Sequence, residues 1–337
     1  MLRTGTPTAI GVLRLWSWQG TVTFADGVCG RVFESMPTTT GRAHTGLMDS
    51  STRAAPGLRE RLGSAVFTRV AGPAGPKNRA RIHEAPGPRW FGPDRPIRIV
   101  HGDASMFIGG LRALLLQSLH PLAMAAVEAH SGYRGDPWGR LQRTSTFLAV
   151  TTYGTADDAQ QAVDRVRAVH SQVRGTTSSG ESYCAAAPHL LGWVHVAEVE
   201  SFLLAHQRYG VEPLDAAGYD GYIADTARVA QALGVTDPPH NWKELVARLG
   251  AYRSELRPTK EAREAARFIL LHPPLPWAAR APYAVLAANS VAALPRWART
   301  SLELPQLPGI AEACVAPTGR ALTAAIRWAM APPPPRL

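Results

Sequence analysis

Thr155-Ala-Asp-Asp-Ala-Gln-Gln-Ala-Val-Asp-Arg-Val-Arg-Ala-Val-His-Ser-Gln-Val-Arg-Gly175 reads as one complete amphipathic helix. Thr155 followed by Asp158 has the form of a capping box, and Gly175 supplies the stop. Between them Ala159, Ala162, Val163, Val166, Val169, His170 and Val173 recur at helical spacing, so one face is apolar and carries a single imidazole. The same period recurs on both sides. Ala104 to Leu119 places Leu111, Leu114, Leu115 and Leu119 on one face, His120-Pro121 bends or ends that helix, and Leu122 to His130 resumes it. Asp136-Pro137 begins another helix, with Asp as N-cap and Pro in the first turn. Pro188 to Tyr209 is a long helix ending at Gly210, with Leu191, Val194, Val199 and Phe202 on its buried stripe. Weaker helical patterns cover about 218–233, 242–256, 259–271, 281–293 and 310–330. Pro96 to Val100 reads as a short strand or extended entry, and no alternation elsewhere is worth a sheet. The expected fold class is all-α, a single-domain multi-helix bundle over 86–335.

Residues 1–85 show no sustained period and are rich in Thr, Ser, Gly, Pro and Arg, which predicts a disordered basic extension. The 337 residues carry a formal charge of +10 and are 45% hydrophobic and 18% charged, a globular balance. The charge is uneven. Residues 1–100 hold 14 Lys and Arg against 6 Asp and Glu, leaving 22 against 20 in the rest. The helical part is therefore close to neutral, and no nucleic-acid partner is expected. Cys29, Cys184 and Cys314 form no pair at zinc or disulfide-framework spacing, which suggests free thiols in a reducing compartment. The first 30 residues lack a basic region leading into an uninterrupted apolar run, and no window reaches the length of a membrane span. A cytoplasmic protein is expected, with peripheral membrane contact left open. GxGxxG after a strand, a Walker lysine, GxSxG and HExxH are all absent, so nucleotide-dependent, serine-hydrolase and zinc-protease chemistry lack support.

Chemistry concentrates on two neighbouring helices. In Asp136-Pro-Trp-Gly-Arg-Leu-Gln-Arg-Thr144, residues Arg140, Arg143, Thr144 and Phe147 fall at i, i+3, i+4 and i+7 and share one face. Two forked guanidiniums and a hydroxyl can bind carboxylates or donate to bound oxygen; a solvated face making surface ion pairs has the same pattern. His170 among valines has the setting of an axial haem ligand, since a neutral nitrogen binds iron while aliphatic walls shield a porphyrin. A core histidine satisfied by a backbone carbonyl is the alternative. His195 shares a stripe with Val199, Phe202 and His206 and could approach the pocket of His170. Glu128 is the candidate general base, or else a solvated charge at a helix end.

Leu111-Arg-Ala-Leu-Leu-Leu-Gln-Ser-Leu-His-Pro-Leu-Ala-Met124, Asp136 to Thr144, Tyr153-Gly-Thr155, Val166-Arg-Ala-Val-His-Ser-Gln-Val-Arg174 and Leu190-Leu-Gly-Trp-Val-His195 together resemble the family of the MpaB oxygenases and the rubber oxygenase called latex clearing protein. The resemblance covers about residues 90–330 and rests on the ordered set of motifs. It implies a globin-like all-α domain that binds haem b and uses O2 to cleave carbon–carbon double bonds in isoprenoid chains. By position, His170 resembles the proximal iron ligand, and Arg140, Arg143 and Thr144 match the distal Arg-x-x-Lys-Thr motif. The sequence departs from the motif at Arg143. Lysine can lose its proton and occupy a distal iron site, whereas arginine effectively cannot, so an open distal position is expected. The family's catalytic acid has no secure counterpart, and Glu128 is the candidate. The resemblance thus points to a haem b-dependent oxygenase acting with O2 on an unsaturated hydrophobic small molecule. A haem carrier or sensor without oxygenase activity is the alternative, and a helical interaction protein is a further rival.

Overall fold

A computed structural model of the protein describes residues 57–132, 134–306 and 309–331. Helices α1 (Leu58–Ala71) and α2 (Gly75–Glu84) lead into α3 (Pro96–His101), α4 (Met106–Gln117) and α5 (Pro121–His130). The hairpin of α6 (Pro137–Tyr153) and α7 (Ala156–Gln172) is followed by two short strands, β1 (Arg174–Thr176) and β2 (Ser182–Cys184). Then come α8 (Pro188–Tyr209), α9 (Ala216–Leu233), α10 (Trp242–Tyr252), α11 (Lys260–Leu271), α12 (Trp277–Ala293), α13 (Arg296–Ser301) and α14 (Gly309–Met330). The architecture is an all-α multi-helix domain. Its one sheet among the described residues is the antiparallel β1–β2 ribbon, paired Arg174 to Cys184 and Thr176 to Ser182.

The central helix is α8, which packs on α4 along its length and is flanked by α9, α10 and α14. Trp193, Val196, Ala197, Val199, Phe202 and Leu203 supply its part of the main core, facing Leu115, Leu116 and Leu119 of the α4 region. The two backbones come close because Gly109 has no side chain: a Cβ there would meet Phe202 Cα at 3.1 Å and its ring at 2.8 Å. Beside this contact Arg112, 1% exposed, is fully engaged. Its guanidinium pairs in a fork with Glu200, with Nη2 donating to Oε1 at 2.9 Å, and Nη1 also donates to Ser201 Oγ at 2.6 Å. Nε donates to the Ala293 carbonyl at 2.9 Å, so one side chain joins α4, α8 and the end of α12.

Several expected boundaries match their physical signals. Asp136 caps α6 by accepting from Gly139 N at 2.8 Å, and Thr155 caps α7 by accepting from Asp158 N at 3.1 Å. Long-range partners account for the differences. Residues 96–101 form a helix rather than a strand, because Asp225 accepts from Ile97 N and pairs with Arg95, capping the helix from α9. Residues 58–84, expected to be disordered, form two helices; residues 1–56 lie outside the described residues. The buried residues of α1 are only Gly63, Val70 and Ala71, too few to give a sequence period. It is held instead by α14, where Arg59 donates to the carbonyls of Trp328 and Ala331 and Gly63 lies against the Ala329 backbone. Arg89 closes the ends of α2 and α6 together by donating to the carbonyls of Ile82, His83, Ala85 and Tyr153. No single described helix is long and apolar enough to cross a membrane; α4 and α5 together have the composition but bend by 106° between them.

Replacing Glu200 by Ala leaves the Arg112 guanidinium buried without its carboxylate. The expected loss is about 3–5 kcal/mol of unfolding free energy, read from the shift in urea midpoint. A loss below about 1 kcal/mol would show that water reaches Arg112.

Candidate functional site

The α6–α7 hairpin places its helices antiparallel, and both run 17 residues, so the first turns of α6 lie at the same end as the last turns of α7. Arg140 and His170 thus occupy one end of the hairpin. The end of α5 and the β-ribbon also pack there. Arg140 is half-buried and donates to Ser131 Oγ at 3.0 Å, while Ser131 donates to the Val127 carbonyl at 2.6 Å. This chain ties the motif arginine to the last turn of α5. Across it, His130 Nε2 stands 3.2 Å from the Tyr183 hydroxyl of β2. Tyr183 crosses its partner strand over Gly175, where a Cβ would lie 2.5 Å from the phenol oxygen.

The other motif residues keep the predicted shared face but differ in exposure. Arg143 is 65% exposed and held by a 3.4 Å ion pair to Asp136, the residue that caps its own helix. Thr144 is exposed and donates to the Arg140 carbonyl at 3.1 Å. Both side chains are exposed, so an anionic group can reach this face. A solvent-open groove of about 810 Å³ lies on the opposite side of α6, lined by Ser64, Thr68, Arg69, Trp138 and Gln142.

Along α7 the apolar stripe loses cover toward its C-terminus. Ala159, Ala162 and Val163 are buried, Val166 is half-buried and Val169 is exposed. His170 is half-buried, yet its Nδ1 is sealed from solvent and has no hydrogen-bond partner. Burial lowers its pKa, which keeps the ring neutral and a nitrogen lone pair available at physiological pH.

His195 lies on α8 with Nε2 buried and unpartnered, and burial together with nearby His240 pushes its pKa down to about 4. Among the described residues no hydrogen bond or ring contact joins it to His170. His206, three turns and about 16 Å further along α8, sits beside Asp103 and Arg327, so the histidine stripe does not converge on one pocket. Glu128 is exposed and pairs at 3.5 Å with Arg134, which also reaches Glu264 at 3.0 Å. That is the solvated helix-end charge the sequence allowed.

An acid with a raised pKa was missed by the sequence reading. Glu198, one turn after His195, has its carboxyl raised to about 7 by burial. Opposite it on α9 stands the buried Tyr222, whose hydroxyl is 3.2 Å from His101 Nε2; His101 Nδ1 in turn is 2.9 Å from Thr152 Oγ1. Burial pushes the His101 pKa down to about 3 and raises that of Tyr222. The available signal was a charged residue within the apolar run Trp193-Val-His-Val-Ala-Glu-Val199.

A family model described as "ER-bound oxygenase mpaB/B'/Rubber oxygenase, catalytic domain" matches residues 98–328, more than half of the chain. Two curated relatives, uncharacterized proteins of Mycobacterium bovis and Mycobacterium tuberculosis, are each 37% identical over 102 residues, or 30% of this chain. The matched part spans 39% of each relative's length. No solved structure matches the chain.

The buried groups set a pH dependence. His101 and His195 titrate near 6.5 when unfolded but resist protonation when folded, so their neutral-form stability is lost as pH falls below about 6.5. Glu198 acts in the opposite direction: the folded protein holds its proton from about pH 4.5 to 7, so its contribution declines as pH rises through that window. Glu198→Gln should therefore gain about 1–3 kcal/mol on wild type between about pH 5 and pH 8. Urea midpoints at the two pH values measure this, and a constant difference would show a solvated carboxyl.

Proposed function

This chain belongs to the family of mpaB-type and rubber-oxygenase catalytic domains, and from that premise we propose that it is a haem b-dependent oxygenase acting with O2 on an unsaturated, isoprenoid-like small molecule. The observation that carries the reading is His170: a neutral imidazole with an enclosed, unpartnered nitrogen, at the same end of a helical hairpin as two arginines and a threonine. An unpaired buried nitrogen is unfavourable unless something coordinates it, so the residue fits an iron ligand.

In this reading His170 would hold the iron through a ring nitrogen, and Arg140 and Arg143 would meet the acidic propionates or donate to oxygen. Bound haem supplies the activation of O2 toward a carbon–carbon double bond. The protein's own part is orientation and charge. Arg140 is aimed by Ser131 and the end of α5, whereas Arg143, paired among the described residues with solvent-facing Asp136, can exchange that partner for a ligand carboxylate. Because arginine keeps its proton, Arg143 would act toward the cofactor as a hydrogen-bond donor and not as a ligand. Glu198, with its carboxyl near neutral pKa, is better suited to hold a proton than exposed Glu128. His195 stays neutral and is a second imidazole suited to an apolar ligand's surroundings.

Haem-supplemented protein should show a Soret band and consume O2 with an isoprenoid alkene such as squalene, yielding carbonyl products. A Soret band without O2 consumption would indicate a haem carrier, and no Soret band would remove the haem reading altogether. His170→Ala should lower haem affinity roughly tenfold or more. Arg143→Lys should convert the spectrum toward a six-coordinate form at alkaline pH. If His170→Ala keeps full haem occupancy and an unchanged spectrum, the ligand is another residue.

A further inference from the structure

Three segments converge away from the α6–α7 hairpin end. The bend between α4 and α5 presents His120, the first turn of α8 presents His189, and the segment after α10 presents Glu255. One ligand atom from each lies within 4.8 Å of the other two. Glu255 Oε2 is 2.8 Å from His189 Nε2 and 3.4 Å from His120 Nε2, and its Oε1 is 3.0 Å from His189 Nε2. Donors about 2.0–2.1 Å from a tetrahedral ion stand roughly 3.3 Å apart, so these separations already approximate an occupied site.

The convergence is built rather than incidental. Arg257 N donates to the Leu119 carbonyl at 2.9 Å, fastening the Glu255 segment beside His120. The Tyr252 hydroxyl donates to the His189 carbonyl at 2.8 Å, and its ring packs on the His189 ring with centroids 4.7 Å apart. Trp193 closes the floor, 6.1 Å from His120 and 5.4 Å from Tyr252 between centroids. His120 is 2% exposed, and neither ring nitrogen completes a hydrogen bond: Nδ1 has no partner, and Nε2 meets Glu255 only at ion-pair distance. A buried imidazole left in that condition is disfavoured unless a further group completes it.

We propose that His120, His189 and Glu255 bind a single divalent transition-metal ion of the zinc class, with the fourth position open to solvent on the side of His189. Two imidazoles and one carboxylate are borderline ligands that suit zinc, and three protein ligands with an open position are the pattern of a reactive rather than a closed structural site. His189 is 62% exposed, which gives the ion a route in. The ion would join the α4–α5 bend, the start of α8 and the segment after α10. The proposal stands independently of the haem reading, because none of its ligands belongs to that site.

The test uses the full chain, stripped with a chelator and titrated with Zn2+ in competition with a chromogenic chelator, with Co2+ as a spectroscopic probe. One equivalent of Zn2+ is expected, with visible Co2+ bands typical of four or five ligands and a rise in Tm on loading. His189→Ala and Glu255→Gln alter exposed or half-exposed side chains and should fold; each should weaken Zn2+ binding roughly tenfold or more and abolish the rise in Tm. His272→Ala, an exposed histidine at the end of α11, should bind as wild type does. Equal binding by wild type and His189→Ala, or an equal loss in His272→Ala, would overturn the site. His170→Ala should leave Zn2+ binding unchanged, so loss of haem and loss of zinc are read separately.

Discussion

The buried guanidinium of Arg112 is the constraint on which the remaining packing depends. A charge taken out of water is tolerable only where its donors are met, and here a carboxylate, a hydroxyl and a helix-end carbonyl meet them from α8 and α12. That requirement fixes the rotation of α4 against α8 and sets where α12 ends. The close approach at Gly109 and Phe202 then follows, and the apolar faces of α9 and α10 close around the other side of α8. An apolar residue at position 112 would allow several rotations of α4; the arginine allows one.

With α8 fixed, the two chemically distinct parts of the molecule are held by opposite logics. The α6–α7 hairpin end is assembled from short-range devices: an Asp cap, a Pro first turn, a Ser131 relay to Arg140 and a capped α7. It presents charge to solvent and a neutral imidazole to the interior. The interior of α8 does the reverse, placing Glu198, His195 and the His101–Tyr222 pair where burial favours their neutral forms. The two parts thus differ in kind: charged groups stand at an exposed rim, and groups whose neutral forms are favoured stand in the interior.

Much of this was legible in sequence. The all-α class, the long α8 and the capped starts of α6 and α7 follow from local periodicity and spacing, and the ordered motifs carry the resemblance that the family match bears out. Arg140, Arg143, Thr144 and His170 stood out because their residue types are unusual for a helical seam. Glu198 was not, because its significance is its burial, and burial depends on α9 crossing above it. Glu128 shows the converse: it is as plausible as Glu198 by residue type, but the structure places it at an exposed helix end beside Arg134.

The sequence by itself determined most helices from α4 onward and the capped starts of α6 and α7, because these are set within a few residues by propensity, capping and period; the α7 helix, expected to run to a stop at Gly175, instead ends at Gln172, and Gly175 pairs in the β-ribbon. Only the tertiary structure decided that residues 96–101 are helical, that residues 58–84 fold onto α14, and that His120, His189 and Glu255 meet. Each depends on a partner 100 or more residues distant or on three separate segments. The motif pair of arginine helix and histidine helix belongs to both: sequence placed its members on their helices, and the hairpin brought one end of each together, leaving Arg143 facing solvent and His170 with an enclosed nitrogen.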